Sequence, residues 1–244
     1  MCFLRNTNSR RISPADKSKN FVLYRMALLF LLTGSLKLSI AQSPVPVVDE
    51  PFHKVIFSNE YIRIIEVQIP PGDTTRYHIH KTNSAIVFLS RNTTGSQLLG
   101  GKASKGQAYP GNTNYAPFGD TPVTHRVWNQ DTAVYHVLDI ELINHPQSNT
   151  GPILDNPGLT LAWDRPEARA YKLHLDPGMI CSVKGNAHPH LLVRISGRAQ
   201  PFREAGGANS KIRPINFFWY PAGTGFEFSA KGPVGVQCVL LELN

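Results

Sequence analysis

The sequence lacks several features that mark common classes of protein. Charged residues make up only 17% of its 244 residues and hydrophobic residues make up 41%, which excludes the charge-rich composition of disordered chains. Its three cysteines are too few for a disulfide framework. It contains no glycine-rich phosphate loop, no serine nucleophile elbow and no Cys–His nucleophile arrangement. The usual motifs of phosphate binding and covalent hydrolysis are therefore missing.

The formal net charge of +8 is concentrated at the N-terminus. Residues 1–41 contain seven Lys and Arg against one Asp, which is a charge of +6. The remaining 203 residues carry 18 positive and 16 negative side chains, a net charge of only +2. Because nucleic-acid-binding domains are usually strongly basic, this nearly neutral remainder predicts no nucleic-acid partner.

Residues 1–41 have the layout of a secretory signal peptide. A basic beginning is followed by an apolar run over 21–32, which one arginine interrupts, and by small residues up to Ala41. We expect cleavage after Ala41 and a secreted or periplasmic location. The alternative is a membrane anchor, but the uninterrupted run 26–34 is much shorter than the ~20 residues of a membrane span. No stable span is therefore expected after cleavage.

Export would also decide the environment of the cysteines. Cleavage removes Cys2 and leaves Cys181 and Cys238 in an oxidising compartment, where two thiols can pair. The alternative is that both are small buried side chains, since free cysteine is among the most buried residue types. The sequence leaves both alternatives open.

The chain after residue 41 has the pattern of an all-β protein. Short segments of alternating apolar and polar residues are separated by Gly, Pro, Asn and Asp, and stretches of helical period are nearly absent. The predicted strands share this alternation and are 61–69, 84–90, 134–142, 170–175, 190–195, 217–220 and 234–243.

The two halves of the chain are similar to each other. A shift of 106 residues places Arg63 on Arg169 and Gly72 on Gly178, with apolar residues largely on apolar ones. Such order and spacing predict a duplicated β domain. The predicted organisation is a signal peptide at 1–41, a first domain at 48–143, a linker at 144–157 and a second domain at 158–244.

Three histidines of the first half form a candidate metal site. On a β-strand, side chains two residues apart point to the same face, so His78 and His80 can direct both imidazoles to one point. His125, from a later strand, completes the set. Three imidazoles suit Zn, Cu, Fe or Ni and leave coordination positions for water, substrate or dioxygen. Taken alone, a His-x-His pair is more often a hydrogen-bonded or exposed pair without a metal.

These residues resemble the two motifs of the cupin superfamily, Gly-x5-His-x-His-x3–4-Glu-x6-Gly and Gly-x5-Pro-x-Gly-x2-His-x3-Asn. Gly72 precedes the His-x-His pair with the spacing of the first motif. The second motif fits from Gly111 through His125 to Asn129, except that five residues instead of two separate Gly119 from the histidine. The resemblance covers nearly all of the chain after residue 41.

The resemblance implies two tandem double-stranded β-helix, or jelly-roll, barrels. It also implies that His78, His80 and His125 bind one divalent transition metal, which is Fe, Mn, Ni or Zn. Where the family often has a carboxylate ligand, this chain has Asn-Ser-Ala at 83–85, none of which can supply an anion. A centre of three neutral imidazoles keeps the full charge of the dication, so we expect it to favour an anionic ligand.

The second half is predicted to have lost this site. Lys184 and Asn186 stand where the first half has its His-x-His pair, and Gly225 corresponds to its third histidine. His188 and His190 form another His-x-His pair, which falls four residues late on the duplicated pattern. We interpret this pair as structural or surface-exposed, near the barrel mouth; the alternative is a displaced metal site.

Several polar and aromatic residues near the motifs are candidates for a ligand pocket. Arg63 can pair with an anionic substrate, although a solvated strand face is the favoured explanation. Aromatic residues in a β-barrel are also frequent in the plain core. The aromatic candidates are Tyr77, Phe88, Tyr115, Phe118 and Trp128.

Two classes of function follow from the resemblance. The first is a dioxygenase-like metalloenzyme that acts on a small molecule, since some cupin-type dioxygenases use three histidines without the carboxylate. The second is a non-catalytic bicupin that binds a small ligand or stabilises an assembly, including a homo-oligomer. The sequence shows no Glu, Asp or Tyr that must serve as a general base, so it assigns no catalytic side chain beyond the metal ligands.

Overall fold

The computed structural model describes residues 43–145, 151–197, 199–202, 217–231 and 233–244. The predicted signal peptide and its cleavage site therefore lie outside the described residues, as does part of the predicted linker. In the part of the chain that is described, no helix has the length and apolar character needed to cross a membrane.

Strands make up nearly all regular structure of the described residues, with one 3₁₀ turn at Val47–Asp49. In the first half they are β1 (Val45–Pro46), β2 (His53–Ser58), β3 (Ile62–Ile69), β4 (His78–His80), β5 (Ser84–Phe88), β6 (Asn92–Leu98), β7 (Ala103–Ala108), β8 (Thr113–Ala116), β9 (Val123–Asn129) and β10 (Tyr135–Leu142). In the second half they are β11 (Leu159–Asp164), β12 (Ala168–Leu175), β13 (Ile180–Val183), β14 (His190–Ser196), β15 (Ala199–Phe202), β16 (Phe217–Tyr220), β17 (Phe226–Ala230) and β18 (Val236–Leu243).

The all-β prediction is confirmed. Each of the seven predicted strands is present, with both ends within two residues of the expected positions. The first half also extends further toward the N-terminus than residue 48, because β1 pairs in parallel with β4 and places Val45 beside His78.

The strands form four sheets, and the two halves use the same strand order. The sheet β2-β3-β10-β5-β8 of the first half matches β11-β12-β18-β14-β16 of the second. The remaining strands form the sheets β1-β4-β9-β6-β7 and β13-β17-β15. Registers repeat as well, since Arg63 lies opposite Glu141 and Arg169 lies opposite Glu242. The structure thus contains two similar β halves.

One hydrophobic core joins the two halves. The first half contributes Ile64, Leu138 and Ile140 to it, and the second contributes Val239 and Leu241, all of them buried. Alternation along a strand sends every second side chain to the opposite face. Burial of one large aliphatic side chain contributes about 1.5–3 kcal/mol, so a core of this size holds the halves together firmly.

The opposite faces of the same sheets line the interior of each half. In the first half, Ile65, Val67 and Val137 pack there with Val127 of β9, which brings the sheet that contains β4 and β9 over them. In the second half, large side chains such as Phe228 fill the corresponding space.

Cys181 and Cys238 are free and buried in the structure. Cys181 and Cys238 both belong to the hydrophobic core of the second half. Burial raises the pKa of the Cys181 thiol to about 11 and that of Cys238 to about 12, so both stay protonated at neutral pH. Of the two alternatives, the structure shows small apolar side chains and no disulfide.

Candidate metal centre

Antiparallel pairing of β4 with β9 builds the histidine cluster. The pairing places His78 directly opposite His125, and His80 shares their face because it is two residues further along β4. His78 and His80 are buried and His125 is partly buried. One possible ligand atom from each of the three residues lies within 4.8 Å of the other two. Nε2 of His80 is 3.1 Å from Nε2 of His125.

Two imidazoles are oriented through the nitrogen that faces away from the cluster. Nδ1 of His78 lies 2.9 Å from the carbonyl oxygen of Arg76, an acceptor that requires Nδ1 to carry the proton. Nδ1 of His80 lies 3.2 Å from Oδ2 of Asp139. A proton on Nδ1 leaves the lone pair on Nε2, so His78 presents an acceptor nitrogen to the cluster.

The motif residues before and after the histidines have structural roles. Gly72 adopts φ +78° in the turn before β4, a conformation that favours glycine. Its amide donates to the carbonyl oxygen of Asn129 at 3.1 Å, and the Asn129 amide donates back to Asp73 at 3.0 Å. The buried Asn129 side chain donates to the carbonyl oxygens of Ile69 and Ala133. These bonds hold the ends of β3, β4 and β9 together.

Burial keeps His78 and His125 neutral. Desolvation, followed by the nearby His53 and His125, lowers the pKa of His78 to about 2. Desolvation, followed by His80 and His53, lowers the pKa of His125 to about 4. Because a neutral imidazole is the form that binds metal, His78 and His125 are ready to act as ligands at neutral pH.

We expect the metal-free protein to lose stability in mild acid because of these histidines. An unfolded histidine has a pKa near 6.5, so the unfolded state takes up protons at a higher pH than folded His78 and His125 do. The free energy of unfolding should fall as the pH drops from about 6.5 toward 4, by roughly a few kcal/mol. Urea unfolding of chelator-treated protein at pH 7 and pH 4.5 measures this loss.

The matched variants for this experiment are His125→Gln and His174→Gln. The first removes a buried histidine and should reduce the pH dependence. The second removes a histidine whose side chain is 59% exposed and should leave it unchanged. Equal pH dependence in wild type and His125→Gln would contradict the lowered pKa.

Sequence reasoning missed two residues at this centre, His53 and Asp139. The ring centroid of His53 lies 4.7 Å from that of His78, and its Nδ1 lies 2.8 Å from the carbonyl oxygen of Val47. Asp139 lies on β10, within an otherwise apolar stretch, and is 3% exposed. An acid in the middle of a buried strand is the one local signal that could have identified it.

No protein-family model matches the sequence, and neither does any curated protein. Solved structures do match. The cupin 2 conserved barrel domain protein from Leptotrichia buccalis is 9% identical, with a TM-score of 0.50 over 83% of this chain and 92% of that chain. The bacterial pirin YhhW from Escherichia coli, in complex with nickel(II), is 13% identical, with a TM-score of 0.53 over 78% and 90%. This chain has a cupin fold.

A third match is the salicylate 1,2-dioxygenase from Pseudaminobacter salicylatoxidans. It is 10% identical, with a TM-score of 0.53 over 75% of this chain and 71% of that chain. At such low identity the likeness concerns the cupin fold alone. The fold prediction is thereby confirmed, and the function has to be argued from the site.

Two of the pocket candidates, Phe88 and Phe118, lie on the same side of the sheets as the histidine cluster. Phe88 packs in the interior of the first half against its buried core. The ring of Phe118 lies 4.6 Å from that of His80, measured between centroids, and tilts by 35°. Phe118 thus covers one face of a metal-ligand candidate.

Arg63 is held in an ion pair. Its Nε lies 2.5 Å from Oε2 of Glu141, whose side chain is only 3% exposed, while the Arg63 side chain is 35% exposed. The guanidinium is therefore not simply solvated on a strand face. A bound anion would have to compete with Glu141 for it.

Tyr77 and Trp128 lie on the outer face of their sheet. The Tyr77 hydroxyl donates to the side-chain oxygen of Gln97 at 3.0 Å, and the guanidinium of Arg126 lies over its ring. Trp128 covers Gly95 so closely that a Cβ there would be 1.9 Å from the indole ring. Because β4 and β9 send neighbouring side chains to opposite faces, these two rings do not line the histidines.

Tyr115 lies between the two halves. It belongs to the residues that pack on the shared core, and its ring contacts Trp163 of β11. Its hydroxyl donates to Oε1 of Glu167 at 2.9 Å, and Asn83 donates to the same oxygen at 2.8 Å. Tyr115 therefore connects the halves and does not contact the histidine cluster.

The second His-x-His pair is structural. His190 is completely buried, with Nε2 3.8 Å from Oε1 of Glu242, and Nδ1 of His188 lies 3.1 Å from the carbonyl oxygen of Leu243. At the predicted equivalent of His80, Asn186 donates to Glu242 at 2.9 Å. Within the described ranges, the cluster of the first half is a group of three or more His, Cys, Asp or Glu close enough together to hold a metal ion, and the His188–His190 pair belongs to no such group.

Proposed function

We propose that this chain is an exported cupin protein that binds one divalent transition metal through His78, His80 and His125 and acts on a small molecule as a dioxygenase-like enzyme. The observation that carries the proposal is the convergence of three imidazoles, with ligand atoms within 4.8 Å of one another. Facial three-imidazole sets leave coordination positions for a substrate and for water or dioxygen. Export rests on the layout of residues 1–41.

The residues around the cluster fit a cation. Nδ1 of His80 and both carboxylate oxygens of Asp139 are buried and have no hydrogen bond of good geometry among the described residues. A buried carboxylate costs several kcal/mol unless a positive charge or hydrogen bonds compensate it. A dication bound on the Nε2 side of His80 supplies that positive charge, since Asp139 lies on the Nδ1 side of the same ring. The donor set, imidazole nitrogen only, suits Fe, Ni or Zn, and Mn is the further candidate.

When bound, Fe, Mn or Ni would supply Lewis acidity and redox chemistry with dioxygen, whereas Zn would supply Lewis acidity alone. Neighbouring backbone and side-chain groups hold the histidine ligands in place. The Arg76 carbonyl fixes His78, and Phe118 keeps water from one face of His80. Because the imidazoles carry no charge, the centre favours an anionic small molecule. The dioxygenase-like reaction is proposed from the three-imidazole set, which leaves coordination positions for substrate and dioxygen.

Oxygen consumption tests the enzymatic part of the proposal. The purified protein is loaded separately with Fe(II), Mn(II) and Ni(II), and oxygen uptake is followed with a panel of small phenols, diketones and thiols. We expect uptake with at least one metal and one substrate class, and none in a His80→Ala/His125→Ala control. Silence of the metal-bound protein across the whole panel would instead favour a non-catalytic bicupin that binds a small ligand.

A further inference from the structure

One buried carboxylate, Asp139, lies beside the histidine cluster. Oδ2 of Asp139 is 3.2 Å from Nδ1 of His80, whose Nε2 points in the other direction, to within 3.1 Å of Nε2 of His125. Asp139 is 3% exposed, and neither of its oxygens accepts a hydrogen bond of good geometry from the rest of the described chain. Nδ1 of His80 is the basic nitrogen that lies at ion-pair distance from this carboxylate.

The duplicated architecture shows that this acid belongs with the histidines. Glu141 aligns with Glu242, because each lies opposite an arginine of the neighbouring strand in the same ladder. Two residues earlier on the same strands, Asp139 aligns with Leu240. Leu240 is buried in the apolar core of the second half. The glutamate is thus present in both halves, whereas the aspartate occurs in the half that has the imidazole cluster.

We propose that Asp139 is a positioning residue for the metal centre. It holds His80 with the proton on Nδ1 and the lone pair of Nε2 toward the metal, and it supplies the negative charge that Asn-Ser-Ala at 83–85 cannot supply. The inference rests on the proposed metal site. The carboxylate comes from β10 and acts through His80, whereas a carboxylate from the β5 segment would bind the metal directly. Carboxylate partners of this kind typically change metal affinity by ~10–100-fold.

The charge of Asp139 predicts two effects of opposite sign. Removing the carboxylate should weaken metal binding, because His80 becomes a poorer ligand and a nearby negative charge is lost. It should strengthen the binding of an added anion to the bound metal, because the net charge of the centre rises from about +1 to about +2. A variant that merely loosens the barrel would weaken both, so the pair of measurements separates positioning from a structural role.

The test uses Co(II) as the metal and azide as the anion, with visible absorption as the readout for both. Asp139→Asn keeps an acceptor oxygen and removes the charge, and Asp139→Leu copies the second half and removes both. We expect Co(II) to bind about 10-fold more weakly to the Asn variant and about 100-fold more weakly to the Leu variant. Azide should bind several-fold more tightly to Co(II) in the Asn variant than in wild type.

The matched control is Glu66→Gln, which removes a carboxylate oxygen 3.0 Å from Nε2 of His136, outside the cluster. It should leave Co(II) and azide binding unchanged. A second readout is the ¹⁵N spectrum of metal-free protein, in which His80 should be protonated on Nδ1 in wild type and shift toward Nε2 protonation in Asp139→Leu.

Any one of four results would overturn the inference. If wild type binds Co(II) and both Asp139 variants bind it equally well, the role of Asp139 is wrong and the metal site stands. If the folded Asn variant binds Co(II) more weakly without binding azide more tightly, or if the His80 tautomer is the same in wild type and the Leu variant, the positioning role is contradicted. If wild type itself binds no Co(II), the proposed metal site fails first.

Discussion

Alanine in place of His78, His80 or His125 is expected to abolish stoichiometric binding of a divalent transition metal. Each change leaves two imidazoles, and the loss of a direct ligand should cost more than the ~10–100-fold that loss of an outer partner costs. Elemental analysis of protein dialysed against excess Fe(II), Ni(II) or Zn(II), and then against buffer alone, should give about one ion per wild-type chain and nearly none for each variant.

His136→Ala is the matched control for these variants. His136 lies in the same half, and its Nε2 is 3.0 Å from a carboxylate oxygen of Glu66, but it is not part of the cluster. Its metal content should equal that of wild type. Metal retained in all three cluster variants would exclude the site.

The second large effect is expected from Glu242→Ala in the second half. Glu242 is 1% exposed and accepts hydrogen bonds from Asn186 at 2.9 Å and from the Tyr171 hydroxyl at 3.2 Å, and Arg169 lies 3.8 Å away. Removing it leaves buried donors and a buried cation short of an acceptor. The free energy of unfolding in urea should fall by about 3–5 kcal/mol.

Glu227→Ala is the comparison for Glu242→Ala. Glu227 is an exposed glutamate on β17 of the same half, and its replacement should change the free energy of unfolding by less than about 0.5 kcal/mol. Equal stability of the two variants would contradict the assignment of Glu242 as the acceptor that holds this end of the second half together.

The strands that the sequence identified are those with a regular apolar face. β3, β10, β12, β14 and β18 alternate in the core, and their hydrophobic patterns are sufficient to locate them. β6 and β7 were not predicted, because they form a polar, glycine-containing hairpin in which most of β7 is exposed. The pairing of β6 with β7 depends on the turn between them and on the pairing of β6 with β9. A local apolar pattern predicts neither of these.

The site was predictable where its residues are neighbours in sequence. His78 and His80 share one short strand, and motif spacing identified His125. His53 and Asp139 were missed because the ladder registers bring them to the cluster from distant strands, and those registers cannot be read from local patterns. Tyr77, a pocket candidate, is next to His78 in sequence, and strand alternation turns it to the other face.

The most direct test of the metal centre is diffraction from crystals of metal-loaded protein, measured at the absorption edge of the loaded metal. The expected result is one anomalous peak per chain at ligand distance, about 2.0–2.2 Å, from Nε2 of His78, His80 and His125. A loaded crystal with no peak there, or with its peak at His188 and His190 instead, would contradict the account.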